Sequence, residues 1–304
     1  MTDRPTLLYI LAPSFSGSTL LTYLLAQHAE ISTVGEFKAT QMGPPEDYHC
    51  SCGTPILDCK FWRSMKDKAD ARGIDFNVDR FGTVFEGTGS FSNKVVSAGL
   101  RGSLFETVRT VAMRTLPGVS SRLHDVAKKN RDLAEIVCEI QGGSVFLDGS
   151  KDSVRLLHMI NSDMWNVKVI YLQRDGRGVS SSIMKHTGLA YGDAVGEWTY
   201  SATELQRMRA RLRGSQVFDV HYEQLCDEPT DTMRQIWSWL GLEHVALNER
   251  EFKSGDYHIL GNAMRLGGAS EIRLDEKWKR TLSEDELRIF EEQAGSLNRQ
   301  LGYA

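Results

Sequence analysis

Five short strand candidates, most of them largely apolar, limit most strongly what this chain can fold into: Leu7–Ala12, Ile31–Val34, Val145–Leu147, Val167–Leu172 and Val217–Val220. Each ends in small or charged residues, and four lead on into apolar residues at helical spacing, as at Leu20, Leu21, Leu24 and Leu25. Short strands alternating with helices predict an α/β fold, a mostly parallel sheet covered on both faces. In such sheets ligands gather at the carboxyl ends of the strands. Ser16–Thr19, Glu36, Lys151, Arg174 and Tyr222 all fall just after predicted strands, which points to one shared site.

The rest of the chain reads less regularly. Residues 40–60, with Pro44, Pro45 and Pro55, predict a long loop. Glycines at 82, 87, 89, 99 and 102 break the pattern before an amphipathic helix at Leu123–Ile140. Residues 40–145 therefore read as a helical and loop insertion in the middle third of one domain spanning 1–304. Helical stretches are expected at Val154–Ile160 and Val179–Lys185, from His221-Tyr222-Glu223 through Leu240, and from Glu284 to Leu301 with Ser283 as its cap.

Composition removes several function classes. A net charge of −4 argues against broad nucleic-acid binding, so any anion site must be local. No apolar stretch approaches the roughly 20 residues of a membrane span, and Leu7–Ala12 is too short for a signal segment, so a cytoplasmic protein is expected. The eight histidines show no H-x-x-x-H or H-E-x-x-H spacing, against a zinc hydrolase. His28 and His158 read as packed or capping residues.

Ala12–Thr19 lies over the phosphate-loop pattern G-x-x-x-x-G-K-[ST], with Gly17 and Thr19 in register and Ser18 in the lysine place. Gly17 lets backbone approach a phosphate, and N–H groups at the next helix terminus can cradle it. Without the lysine, ATP or GTP hydrolysis is disfavoured. On these residues alone, a capped strand-to-helix turn is an equal reading. Arg174 and Ser182, a strand tip and a site two turns into a helix, could share a second phosphate. Alone they read as a surface Arg174–Asp175 pair and a hydroxyl on a polar face. Lys151 with Asp148 could likewise be a surface pair, and E-G-T-G-S at 86–90 follows no convincing strand. Cys50, Cys52 and Cys59 crowd into ten residues. Reduced loop cysteines lead here, ahead of a disulfide to Cys59 and of a metal knuckle, whose C-x₂-C pairs are missing.

Taken in order, SFSGSTLLTYLL (14–25), VGE (34–36), DGSKDS (148–153), VIYLQRDGRGVSSSI (169–183), VHYEQL (220–225) and GNAMR (261–265) resemble the PAPS-dependent sulfotransferases, especially the branch with tyrosylprotein and carbohydrate enzymes. The resemblance implies a P-loop-like α/β fold with PAPS as co-substrate and no metal. It implies Ser16, Gly17, Ser18 and Thr19 at the 5′-phosphosulfate, Arg174 and Ser182 at the 3′-phosphate, and Tyr222 against the nucleotide. Glu36 would be the catalytic base and Lys151 would neutralise charge on the transferring group. Arg265 and Lys277 would close over the cofactor, and residues 60–145 would shape the acceptor pocket. The acceptor would be a hydroxylated small molecule, lipid or sugar. One departure stands out: Phe15 occupies a place where the family usually has a cation, which Lys151 or another basic residue would have to replace. A P-loop kinase and a non-catalytic nucleotide-binding relative are the rival readings.

Overall fold

The computed structural model describes residues 4–38, 44–253, 256–261, 263–267 and 271–304. Asn262 of the GNAMR run and residues 40–43 of the expected loop lie outside the described residues. All five of the candidate segments are strands: β1 (Thr6–Leu11), β2 (Ile31–Thr33), β3 (Val145–Asp148), β4 (Asn166–Gln173) and β5 (Val217–His221). They form one parallel sheet in the order β2-β3-β1-β4-β5. In the ladder Tyr9 lies opposite Asp148, and Leu11 opposite Tyr171, so the carboxyl ends of the three middle strands finish side by side.

The strand period of two sorts β1 into two cores. Leu7, Tyr9 and Leu11 join one cluster with Phe37, Trp62, Phe81 and Phe146, while Leu8, Ile10 and Ala12 join another with Leu21, Leu24, Ile170 and Trp237. The helices are α1 (Ser18–Ala26), α2 (Lys60–Ala71), α3 (Ser90–Val96), α4 (Ser103–Thr115), α5 (Val119–Gln141), α6 (Ser153–Asn161), α7 (Gly176–Thr187), α8 (Tyr191–Arg209), α9 (Tyr222–Asp227), α10 (Pro229–Leu240), α11 (Trp278–Thr281) and α12 (Glu284–Gln300).

The middle third is more than an insertion. Residues of α2 and α5, among them Trp62, Met65, Leu133 and Ile136, complete the core on the Leu7–Tyr9–Leu11 face of the sheet, and α5 is the crossover into β3. The single helix expected through Leu240 is broken at Glu228, where Pro229 restarts it as the first residue of α10, a place that needs no N–H donor. Helix α12 begins as expected: the Ser283 hydroxyl accepts the Glu286 N–H, and the Glu286 carboxylate accepts the Ser283 N–H at 2.8 Å.

Candidate functional site

A cleft of about 510 Å³ lies at the carboxyl ends of the strands, and residues from eight separate stretches of the chain line it. The first stretch is the turn from β1 into α1. Gly17 caps α1 at φ 84°, a left-handed conformation that glycine adopts without steric cost. A Cβ there would also lie 2.4 Å from Cδ2 of Tyr222, so the ring and the loop touch as only glycine permits. Helix α1 starts with no side-chain cap and no acidic residue in its first turn. Its first N–H groups, on Ser18, Thr19 and Leu20, therefore remain as donors at the positive end of the helix dipole, and all three residues line the cleft. Ser16 is fully buried beneath them, its hydroxyl without a partner.

Glu36 and Lys151 form the second element. Val34 and Gly35 continue β2, and Lys151 follows the end of β3 at φ 65°. This left-handed backbone costs a non-glycine residue about 1–2 kcal/mol. The Lys151 ammonium donates to Oε1 of Glu36, and both residues line the cleft. The surface pairing of Lys151 with Asp148 is not formed. Asp148 is fully buried and accepts from Arg155 Nε at 2.8 Å, in a network that includes Asn130 and the Thr83 carbonyl. Asp152 caps α6 by accepting the N–H groups of Val154 and Arg155, and it pairs with Lys38 at 2.5 Å.

Arg174 is likewise not paired with Asp175 at the surface. Both are buried. Asp175 caps α7 and binds Arg177, whereas Arg174 reaches across the cleft wall. Its guanidinium lies 4.4 Å from the Tyr222 ring centroid and donates to the carbonyls of Phe15 at 2.9 Å and Asp275 at 2.6 Å. Tyr222 in turn accepts the Asp275 N–H at 3.2 Å, and burial pushes its phenol well above the ordinary value. Ser182 lines the same cleft one helix face away, donating to the Gly178 carbonyl at 2.9 Å. Phe15, the departure from the family pattern, stacks on His186 at 4.7 Å between centroids.

Eight of the sequence-derived residues therefore meet at one cleft: Gly17, Ser18, Thr19, Glu36, Lys151, Arg174, Ser182 and Tyr222. Ser16 lies beneath it. Arg265 and Lys277 are not brought to it. Arg265 is buried over Tyr48, 4.2 Å from the ring centroid, and donates to the carbonyls of Gly261 and His49. The side chain of Lys277 is 72% exposed and faces Asp275 at 3.7 Å. The C-terminal wall is built instead by Glu271, Ile272, Arg273 and Asp275, which sequence reading passed over, as it did His186, Phe252 and Met264. Among the described residues, none of 40–145 lines this cleft. A second cavity, of about 520 Å³, is lined by Lys38, Arg80, Arg122 and Lys129 interleaved with Asp75, Asp79, Glu86 and Asp125.

His28 and His158 are packed, as expected: His28 Nε2 meets the Glu243 carbonyl at 2.9 Å, and His158 Nε2 meets that of Val96 at 2.9 Å. Among the described residues no helix is long and apolar enough to cross a membrane.

A model of the sulfotransferase family matches residues 119–246, the stretch from α5 to just beyond α10. Among solved structures, the chain is similar to the sulfotransferase domain of the curacin biosynthetic pathway, at 16% identity and a TM-score of 0.52, with 99% of each chain covered. A sulfotransferase domain from the Synechococcus PCC 7002 olefin synthase gives 16% identity and a TM-score of 0.49, over 99% of this chain and 96% of the other. A mouse sulfotransferase complexed with PAP gives 10% identity and 0.46, over 99% and 90%. No protein of curated function matches significantly. The first of these likenesses is one of fold, and the matched segment carries β3, β4 and β5, with Lys151, Arg174, Ser182 and Tyr222 beside them.

Proposed function

We propose, from the premise that this chain is a relative of the sulfotransferases, that it transfers the sulfuryl group of PAPS to a hydroxyl of a small-molecule, lipid or sugar acceptor. The observation that carries the reading is convergence: residues chosen separately at five strand ends, from Gly17 to Tyr222, line one cleft. The cleft suits a doubly anionic nucleotide. The uncapped start of α1 and the glycine-permitted turn before it fit the 5′ end. Arg174 and Ser182 fit the 3′-phosphate, and the Tyr222 ring offers a face to the nucleotide. The Ser16 hydroxyl, buried and unpartnered just under the loop, is available to the same anion after a small rotation.

In the reaction the acceptor oxygen attacks sulfur while its proton passes to the Glu36 carboxylate. The bond between sulfur and the bridging oxygen breaks, and adenosine 3′,5′-bisphosphate leaves with the electron pair. Lys151, already bonded to Glu36, is the cation nearest this exchange, and it supplies the charge that Phe15 does not. Lys38, two places beyond Glu36, lines the second cavity with residues between 75 and 129, and the cavity's mixed charges would suit the part of a polar, hydroxylated acceptor remote from the reacting hydroxyl.

Calorimetric titration with adenosine 3′,5′-bisphosphate, AMP and ATP–Mg²⁺ tests the reading. Binding that depends on the 3′-phosphate is expected. A preference for ATP–Mg²⁺ would turn the assignment to a kinase. Binding without turnover on any acceptor would leave a nucleotide-binding protein.

A further inference from the structure

Away from the cleft, the three crowded cysteines do not stand alone. The chain returns between α10 and α11 to place His258 beside them, so that one ligand atom from each of Cys50, Cys52, Cys59 and His258 lies within 4.8 Å of every other. Two separations are short and one is longer. His258 Nδ1 is 3.4 Å from Cys50 Sγ and 3.3 Å from Cys59 Sγ, and the sulfurs of Cys52 and Cys59 are 3.8 Å apart. A tetrahedral zinc ion with bonds of about 2.3 Å to sulfur and about 2.0–2.1 Å to nitrogen sets its ligands about 3.8 Å apart for sulfur–sulfur pairs and about 3.5 Å for sulfur–nitrogen pairs. We infer that Cys50, Cys52, Cys59 and His258 form a structural zinc site.

The surroundings fit that use. Nε2 of His258, the nitrogen turned away from the sulfurs, lies 3.3 Å from an Asp256 carboxylate, the outer partner that fixes tautomer and ring direction in metal-bound histidines. Phe61 stacks on the imidazole at 4.5 Å between centroids, holding the ring plane. Cys50 and Cys52 sit in a tight reversal in which the Cys50 N–H bonds to the Thr54 carbonyl, and Gly53 turns the chain at φ 85°. Cys59 is the N-cap residue of α2, so the start of that helix fixes its position beside His258. A Cys52–Cys59 disulfide would use two of these groups and give no reason for His258 and Cys50 to converge on them. Three thiolates and one imidazole, with no fifth His, Cys, Asp or Glu in the cluster among the described residues, describe a closed site rather than a catalytic one.

What the ion would hold is specific. Ser51 donates to the Tyr257 carbonyl at 2.6 Å and accepts the Ile259 N–H at 2.7 Å, tying the cysteine turn to the returning segment. One residue further on, Leu260 bridges to Gly35, and a Cβ on Gly261 would lie 2.7 Å from Oε1 of Glu36. The four ligands thus clamp the strip of backbone that backs Glu36. The inference stands whether or not the cleft binds nucleotide.

The full-length chain, purified without chelator and exchanged into metal-free buffer, is expected to carry one zinc per molecule by mass spectrometry of the elements. Cys59→Ser and His258→Ala should lose most of it, while His258→Cys, which offers a fourth thiolate, should keep it. Because a ligand variant could fail to fold, the unaltered chain is also reduced, stripped and reloaded with Co²⁺. Thiolate-to-cobalt charge-transfer bands and the strong visible bands of four-coordinate cobalt are expected, both displaced by Zn²⁺. Absence of zinc together with absence of those bands would overturn the site. A Cys52–Cys59 disulfide in the peptide map of the freshly purified chain would overturn it equally.

Discussion

The ammonium of Lys151 donates directly to the carboxylate of Glu36, joining the loop after β3 to the end of β2 across 115 residues of sequence. A carboxylate and an ammonium that share a hydrogen bond are positioned together. Whatever displaces one displaces the other.

Glu36→Gln keeps the size of the side chain and the bond from Lys151 but removes the proton acceptor. Nucleotide affinity should stay near that of the unaltered protein, while turnover on an accepted hydroxyl falls by about 10²-fold or more. Steady-state rates beside a calorimetric titration of the same preparation check this, and unchanged turnover would remove Glu36 from the mechanism.

Arg174→Ala should weaken adenosine 3′,5′-bisphosphate binding about 10- to 100-fold, the scale of a charge-assisted hydrogen bond, and AMP binding much less. Arg174→Lys should not restore it. A point charge cannot at once donate to the carbonyls of Phe15 and Asp275 and lie flat on Tyr222. Equal losses for both nucleotides would count against a 3′-phosphate role.

Gly17→Ala puts a methyl into the Tyr222 ring and a side chain into left-handed backbone. The backbone alone costs about 1–2 kcal/mol. A lower melting temperature and loss of nucleotide binding are expected. Pairing the change with Tyr222→Ala should recover part of the stability but little of the binding.

Burial holds the His158 imidazole below its ordinary pKa, against the Val96 carbonyl, which accepts from it if Nε2 carries the proton. The unfolded chain takes up a proton as pH falls through about 6.5 and the folded chain does not, so stability falls as pH drops below that value. Thermal unfolding between pH 7 and 5 should show this slope, and His158→Gln should flatten it. An unchanged slope would assign the loss to other groups.

Much of the fold could be read locally because the central strands are covered on both faces and so appear as mainly apolar runs, as VKVIYL does in β4 with Lys168 its one charged residue. Residues directly after those runs were readable too, since a parallel sheet delivers all its carboxyl ends to one place. Helix α8 was not. Gly192 and Gly196 interrupt its period, and its burial is decided by Trp198 against Gly176 and Phe290, contacts with distant segments. His258 and Arg273 were missed for a related reason. Nothing near them in sequence announces that Leu260 will pair with Gly35, and that pairing carries the returning strip to the site. Arg265 and Lys277, placed over the cofactor by the resemblance of the C-terminal region, do not line the cleft: Arg265 is buried over Tyr48 and Lys277 is exposed beside Asp275.

The span of the Arg174 contacts has a consequence for biosynthesis. The guanidinium joins Phe15, 159 residues earlier, to Asp275, 101 residues later. On a ribosome the loop at Phe15 is therefore made first, and its partner Arg174 is held by Asp275 only after a further 101 residues. Contacts of such separation are slow to close. The sheet and its α1 cover can form before the Asp275 contact is made, so nascent chains should acquire a protease-resistant core before the nucleotide affinity proposed for the cleft.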